Sequence, residues 1–262
     1  MHKYVIIAAV LVMASCSVYY ANRQEIWDGS SSQQYRRMAP PPDFSQIKDI
    51  NERKKTFLDY MRQGVINENA RIQKERTMLL RLRENYATNS VSSRDIVNAK
   101  VLGELYGVEL EDNQLSKSWL DKMLLRVDVL PQALVLTQAA NESAWGTSRF
   151  AKQAKNYFGQ WCYRTGCGLV PKERKEGMTH EVAKFASVSE SIHRYFMNVN
   201  RNRAYRQLRL IRAELREQDI DITTTDAAIS MVEGLNKYSE RGQDYVQDIQ
   251  AMIQHNRQYW DN

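Results

Sequence analysis

The chain has 262 residues, 43% of them hydrophobic and 26% charged, with a formal charge of +6. That length and balance leave room for one sizeable core or two small ones and exclude a chain disordered throughout. The basic excess suits nucleic acid, anionic lipid, an acidic polymer or a merely solvated surface, and no helix-turn-helix, zinc-finger or RNA-binding signature supports nucleic acid. The five prolines and eleven glycines cluster rather than spread, which favours long helices over a many-turned β fold.

Met1-His2-Lys3 is a short basic segment, Tyr4 to Ala14 is apolar, and Ala14-Ser15-Cys16 places small residues before a cysteine. This has the form of a secretory signal. The cysteine makes it resemble a bacterial lipoprotein signal, in which residues 1–15 are removed and Cys16 is acylated. Met13 departs from that pattern, and the uncharged run Tyr4 to Ala21 keeps an uncleaved anchor as the alternative. Ser17 resembles the residue that sorts lipoproteins to the outer membrane of a Gram-negative cell, which would leave the body on its periplasmic side. Residues 16–43 then read as a polar tether ending at Pro40-Pro41-Pro42.

From Phe44 the apolar residues Ile47, Ile50, Phe57, Leu58, Met61, Val65 and Ile72 recur at helical spacing, so one or two helices run to about Tyr86. Another helix and a polar loop occupy Ser92 to Asn113, which makes 44–114 a helical extension ahead of a main domain at 115–262. Leu115, Trp119, Met123, Val127 and Leu130 form the next stripe, with Ser116 or Ser118 able to cap it. Pro131 opens the helix that follows, and Gly146 is expected to close it. Between Asn156 and Ser187 the helical period fails and β-prone pieces at Leu169-Val170 and His180 to Phe185 suggest a small hairpin. Helices resume at about Ser189 to Val199, Asn202 to Gln218, Thr225 to Leu235 (with Thr225 as its N-cap) and Gln243 to Tyr259. In an exported chain Cys162 and Cys167 suit a local disulfide, with two free thiols as the alternative, and lack the His partners of a zinc site.

The segment Leu130 to Trp161, LPQALVLTQAANESAWGTSRFAKQAKNYFGQW, carries the chemistry. Leu134, Gln138 and Glu142 stack on one helical face, with Glu142 in the last turn. The helix dipole and partial burial beside Ala144 and Trp145 both raise a carboxyl pKa, as a glycosidic general acid requires. The pattern Pro131, Gln138-Ala139, Glu142-Ser143, Trp145-Gly146, Ser148, Asn156 and Phe158-Gly159 closely resembles the glucosaminidase family of bacterial autolysins, glycoside hydrolase family 73. The helices before Leu115 and the Cys162/Cys167 pair resemble features of its Bax-type group.

That resemblance implies a mainly α, lysozyme-like α+β fold with a helical lobe, a small β-lobe and a glycan cleft between them. It makes Glu142 the catalytic acid of a peptidoglycan hydrolase cutting N-acetylglucosaminyl-β-1,4-N-acetylmuramyl bonds. Trp145, Asn156, Tyr157, Phe158 and Gly159 match the residues expected to line the cleft. Tyr238 and Tyr245 match the family's two tyrosines, although Ser239-Glu240-Arg241 departs from its usual Ala-Thr-Asp and leaves open which one faces the acid. A second carboxylate is sought among Glu173, Glu176 and Glu181, with Glu173 or Glu176 preferred. A lytic transglycosylase and a non-catalytic glycan-binding protein are the rival readings. The expected partners are a glycan strand and, through Cys16, a membrane; no metal, cofactor or nucleic acid is implied, and the chain is expected to be a monomer.

Lipid attachment has a direct test. Cys16→Ala should block maturation or release the protein from the membrane fraction, because stable anchoring takes two or more acyl chains. Intact-mass analysis showing an unmodified Cys16 with residues 1–15 still present means an uncleaved anchor instead.

Overall fold

The computed structural model describes residues 38–172, 174 and 177–261. Cys16, the signal segment, most of the tether and the candidate acids Glu173 and Glu176 lie outside the described residues. Asp49 caps the first long helix by accepting from the Glu52 amide at 2.7 Å. The two-helix option then resolves into one helix of 38 residues, α1 (Ile50–Ala87), because no proline interrupts it. Before it, Phe44 is buried and the Tyr60 hydroxyl holds the Ala39 carbonyl at 2.8 Å. The last residues expected in the tether are therefore laid onto the domain.

Helices α2 (Ser93–Tyr106) and α3 (Lys117–Arg126) start at Ser92, in a capping box with Asp95, and at Ser116. Helix α4 (Gln132–Ser143) begins directly after Pro131. A short α5 (Arg149–Ala154) leads to the strands β1 (Trp161–Cys162), β2 (Gly168–Leu169) and β3 (Glu181–Ala183), then to α6 (Val188–Arg201). Helices α7 (Arg206–Glu217), α8 (Thr225–Val232) and α9 (Gln243–His255) complete the chain, each next to a single 3-10 turn where the sequence suggests continuous helix. Thr224, not Thr225, caps α8, accepting from the Ala227 amide at 3.2 Å. The expected hairpin is a three-stranded antiparallel sheet in the order β1-β3-β2. Its first strand is too short to leave a period in the sequence.

Helix α4 is buried nearly all round, as a helix without a polar face must be. It packs against α1, α8 and α9, while α1 also meets α3 and α6. One apolar cluster runs from Phe44 to Ile253, so the fold is mainly α and lysozyme-like, with a small sheet at one side. Among the described residues no helix is long and apolar enough to cross a membrane.

A buried polar node fixes the entry to α4. Arg212 of α7 donates to the carbonyls of Leu125, Arg126, Asp128 and Val129 and to Asn200 Oδ1 at 2.8–3.2 Å. It thereby satisfies the carbonyls at the end of α3. Asp128 accepts both arms of Arg216 at 2.6 and 2.7 Å and lies 3.2 Å from Arg76. Despite burial, these hydrogen bonds and charges hold its carboxyl below the ordinary value of 3.8. Asp128→Ala should cost about 3–5 kcal/mol at pH 7, because it strands buried guanidinium charge. The sign follows from linkage: a lowered folded pKa gives stability that is present above about 3.8 and fades as pH falls further. Urea melts showing the variant as stable as the parent at pH 7 contradict this role.

Candidate active site

Glu142 sits in the last turn of α4, where the helix emerges from the core. The helix stops because Ala144, Trp145 and Gly146 all take positive φ, at 50°, 57° and 78°. The left-handed cap is Ala144, two residues before the glycine expected from the sequence. For Ala and Trp such backbone costs on the order of 1 kcal/mol each, so the surroundings must hold it. Ser143 does much of this work: its hydroxyl donates to the Ala139 carbonyl at 2.6 Å and accepts from the Gly146 amide at 2.9 Å. Trp145 packs edge-to-face on Phe57 of α1 at 5.8 Å, with Lys54 Nζ 5.1 Å over its ring.

A directed chain of hydrogen bonds ends on the carboxylate. Tyr195 of α6 donates to Gln138 Oε1 at 2.5 Å, and Gln138 Nε2 donates to the Tyr245 hydroxyl at 2.8 Å. Tyr245 of α9 then donates to Glu142 Oε1 at 2.9 Å, and Asn141 adds a longer bond to the same oxygen at 3.2 Å. Burial nevertheless dominates and holds the Glu142 carboxyl above its ordinary value of 4.5. Burial, with the Glu142 charge second, pushes the Tyr245 phenol far up, so it stays a neutral donor.

Oε2 looks the other way, toward Gly159. A Cβ at that position would lie 3.1 Å from Oε2, and Gly159 has φ of +62°, so glycine is required there twice over. The loop is fixed by Asn156, which is buried, donates to the carbonyls of Gln160 and Ala183 at 2.9 Å and accepts from the Phe158 and Gln160 amides. Tyr157 is buried, its phenol pushed up to about 12 by that burial. Phe158 stacks on Tyr195 at 4.1 Å. Tyr238 donates to the Phe158 carbonyl at 2.7 Å and stacks on Tyr245 at 5.4 Å.

Of the residues anticipated from the sequence, Glu142, Tyr245, Tyr238 and Gly159 come together around one carboxylate. Asn156, Tyr157 and Phe158 shape the loop from within, and Trp145 braces the turn. Glu181, of β3, accepts from the Gly166 and Gly168 amides at 3.0 and 2.8 Å, which hold its carboxyl below 4.5. It anchors the loop closed by the Cys162–Cys167 disulfide, whose Cα atoms are 6.3 Å apart. Beside it the half-exposed Trp161 stacks on His180 at 4.1 Å. Two members were missed as site residues. Gln138 is legible from its position four residues before Glu142, whereas Tyr195, which resembles part of the family's helix after the β-lobe, reads from the sequence as a packing residue.

The glucosaminidase family model, described as mannosyl-glycoprotein endo-β-N-acetylglucosaminidase, matches residues 118–258. The chain is also similar to "Protein bax" of Escherichia coli (strain K12), 32% identical over 232 residues that cover 87% of this chain and 80% of that protein. No solved structure matches. Matched over more than half its length by the family model and along most of its length by this relative, the chain belongs to the glucosaminidase family, as a Bax-type member.

Proposed function

We propose that the protein is an endo-β-N-acetylglucosaminidase of peptidoglycan, cutting N-acetylglucosaminyl-β-1,4-N-acetylmuramyl bonds with Glu142 as general acid. The observation that carries this reading is the asymmetry of the carboxyl group. Oε1 is occupied by the Tyr245 and Asn141 donors, whereas Oε2 faces Gly159. A proton on the group therefore belongs on Oε2, the oxygen free to approach a glycosidic oxygen. Burial keeps that proton in place to higher pH than an ordinary glutamate would.

As the leaving oxygen is protonated, the anomeric carbon becomes electron-poor and needs a nucleophile. Two sources fit: a carboxylate of the segment before β3, Glu173 or Glu176, or the 2-acetamido oxygen of the substrate itself. The second needs no further carboxylate near Glu142, whose neighbours include the neutral Tyr245 and Tyr238 phenols. Among the described residues no other carboxylate contributes to the shift at Glu142. We propose further that lipid on Cys16 holds the enzyme at the membrane face of the wall.

Glu142→Gln should abolish lysis in a cell-wall zymogram, since an amide cannot deliver the proton, at a cost on the order of 100-fold or more. Lysis at near the parental rate would mean the acid lies elsewhere, and anhydromuramyl ends in mass spectra of the products would make the enzyme a lytic transglycosylase. The same substitution has a stability signature. A raised folded pKa stabilises the fold below about 4.5 and is a burden as pH rises through the folded value. The glutamine variant should therefore melt at the parental temperature or above it at pH 7, and a clear drop counts against burial of the charge.

Tyr245→Phe removes a donor to the ionised carboxylate. The alkaline limb of the pH–rate profile, where Glu142 loses its proton, should move upward, with kcat down about ten-fold. An unmoved limb means that Tyr245 does not govern the acid.

A further inference from the structure

Beyond Gly159 the molecule holds a second feature, a groove of about 820 Å³. Its volume is within the range of about 300–1,000 Å³ usual for small-ligand sites. Three parts of the chain line it: Gln160, Trp161 and the disulfide loop; the outer face of α6; and the junction of α2 and α3 at Gly107 and Arg126. Its charge is one-sided. Arg126, Arg164, Lys184, Arg194 and Arg201 line it, against the single acid Glu190 among the described lining residues, itself 4.0 Å from Arg194.

Two of these cations converge. A Cβ on Gly107 would lie 3.3 Å from one Arg126 nitrogen and 3.6 Å from one of Arg201. The Arg126 guanidinium is fastened from behind by the carbonyls of Tyr106 and Gly107, at 2.5 and 3.0 Å. Two guanidinium groups brought to one spot repel each other unless an anion joins them, and planar guanidinium recognises carboxylate well. Their meeting point depends on the helices ahead of the family-matched region, since Gly107 lies before residue 118.

The groove lies one loop away from the carboxylate site. Gln160 adjoins Gly159, whose bare Cα faces Glu142. On the far side, Asn198 of the groove neighbours Tyr205, whose ring lies 5.8 Å from Tyr238. One loop and one row of rings thus separate the basic groove from the acid. A neutral sugar has no use for these charges. Peptidoglycan, however, carries on its muramyl residues a short peptide branch with free carboxylates, held beside the glycosidic bond to be cut.

We propose that this groove binds the carboxylate-bearing peptide branch of the glycan strand, so that the enzyme selects peptide-substituted over naked glycan. The inference rests on the function proposed above and adds a specificity to it. Arg126 and Arg201 receive one carboxylate, and Arg164 and Lys184, exposed at the rim, receive or steer another.

The test is direct binding, in the full-length mature protein carrying Glu142→Gln so that nothing is cut. Calorimetry compares soluble glycan oligomers bearing their peptides with the same oligomers stripped by an amidase. The peptide-bearing glycan should bind about ten-fold tighter at low salt, as two solvent-exposed ion pairs would give, and the gap should close as salt rises. Arg201→Ala and Arg164→Ala, both at exposed positions, should each narrow the gap without changing affinity for stripped glycan, with melting curves confirming the fold. Equal affinity for the two glycans overturns the proposal and leaves the proposed activity untouched. Failure of either glycan to bind points instead at the reading of the cleft. Displacement of the peptide-bearing glycan by millimolar inorganic phosphate, with no displacement by the free branch peptide at the same concentration, assigns the groove to a phosphate polymer and overturns the proposal.

Discussion

The site depends on one hydrogen bond, from Tyr245 to Glu142 Oε1 at 2.9 Å, and on what stands behind it. Glu142 ends a helix whose other residues are almost all buried, so its carboxyl cannot be freely hydrated. Tyr245 compensates in part, and Gln138 and Tyr195 orient it by donating in sequence toward the same carboxylate. These four residues come from α4, α6 and α9. The packing of three helices therefore sets the state of one proton. Helix α1 stabilises the arrangement through a buried cluster in which Arg71 bridges Glu68 and Glu75, while His193 of α6 reaches Glu68 at 2.8 Å.

The second constraint is room. The proposed general acid would need one oxygen that no protein donor occupies, and the backbone leaves room beside Glu142 at two places. The left-handed run Ala144 to Gly146 turns the chain sharply away immediately after Glu142. Gly159 brings bare backbone to the other side. The first conformation costs free energy at Ala144 and Trp145, and both are held by buried polar side chains: Ser143 under the first, Asn156 under the second. Several residues that align with a functional motif thus act by shaping the chain around the acid.

How much of this the sequence discloses follows from where each signal resides. Helix periodicity discloses the long helices and their order, since buried stripes repeat over many residues, but not the six-residue α5. Glu142 was legible because its position at the end of an apolar helix is itself unusual. The strand Trp161–Cys162 was not, being two residues long. The helix stop at Ala144 was hidden because tertiary packing, with Phe44 against Gly146 and Phe57 against Trp145, enforces a conformation that local preference assigns to glycine. The relation of Tyr195 to Gln138 spans 57 residues, and the convergence of Arg126 and Arg201 depends on how the C-terminal ends of α3 and α6 approach Gly107 after α2; neither leaves a local trace.

Burial raises the pKa of the Glu142 carboxyl, and the Tyr245 phenol donates to it. The most direct measurement is the carbon-13 NMR titration of the Glu142 side-chain carboxyl, assigned by its absence in the glutamine variant. A midpoint above the ordinary 4.5 is expected in the parent protein. A midpoint at or below 4.5 would show that burial does not favour the protonated form, and would contradict Glu142 as the general acid.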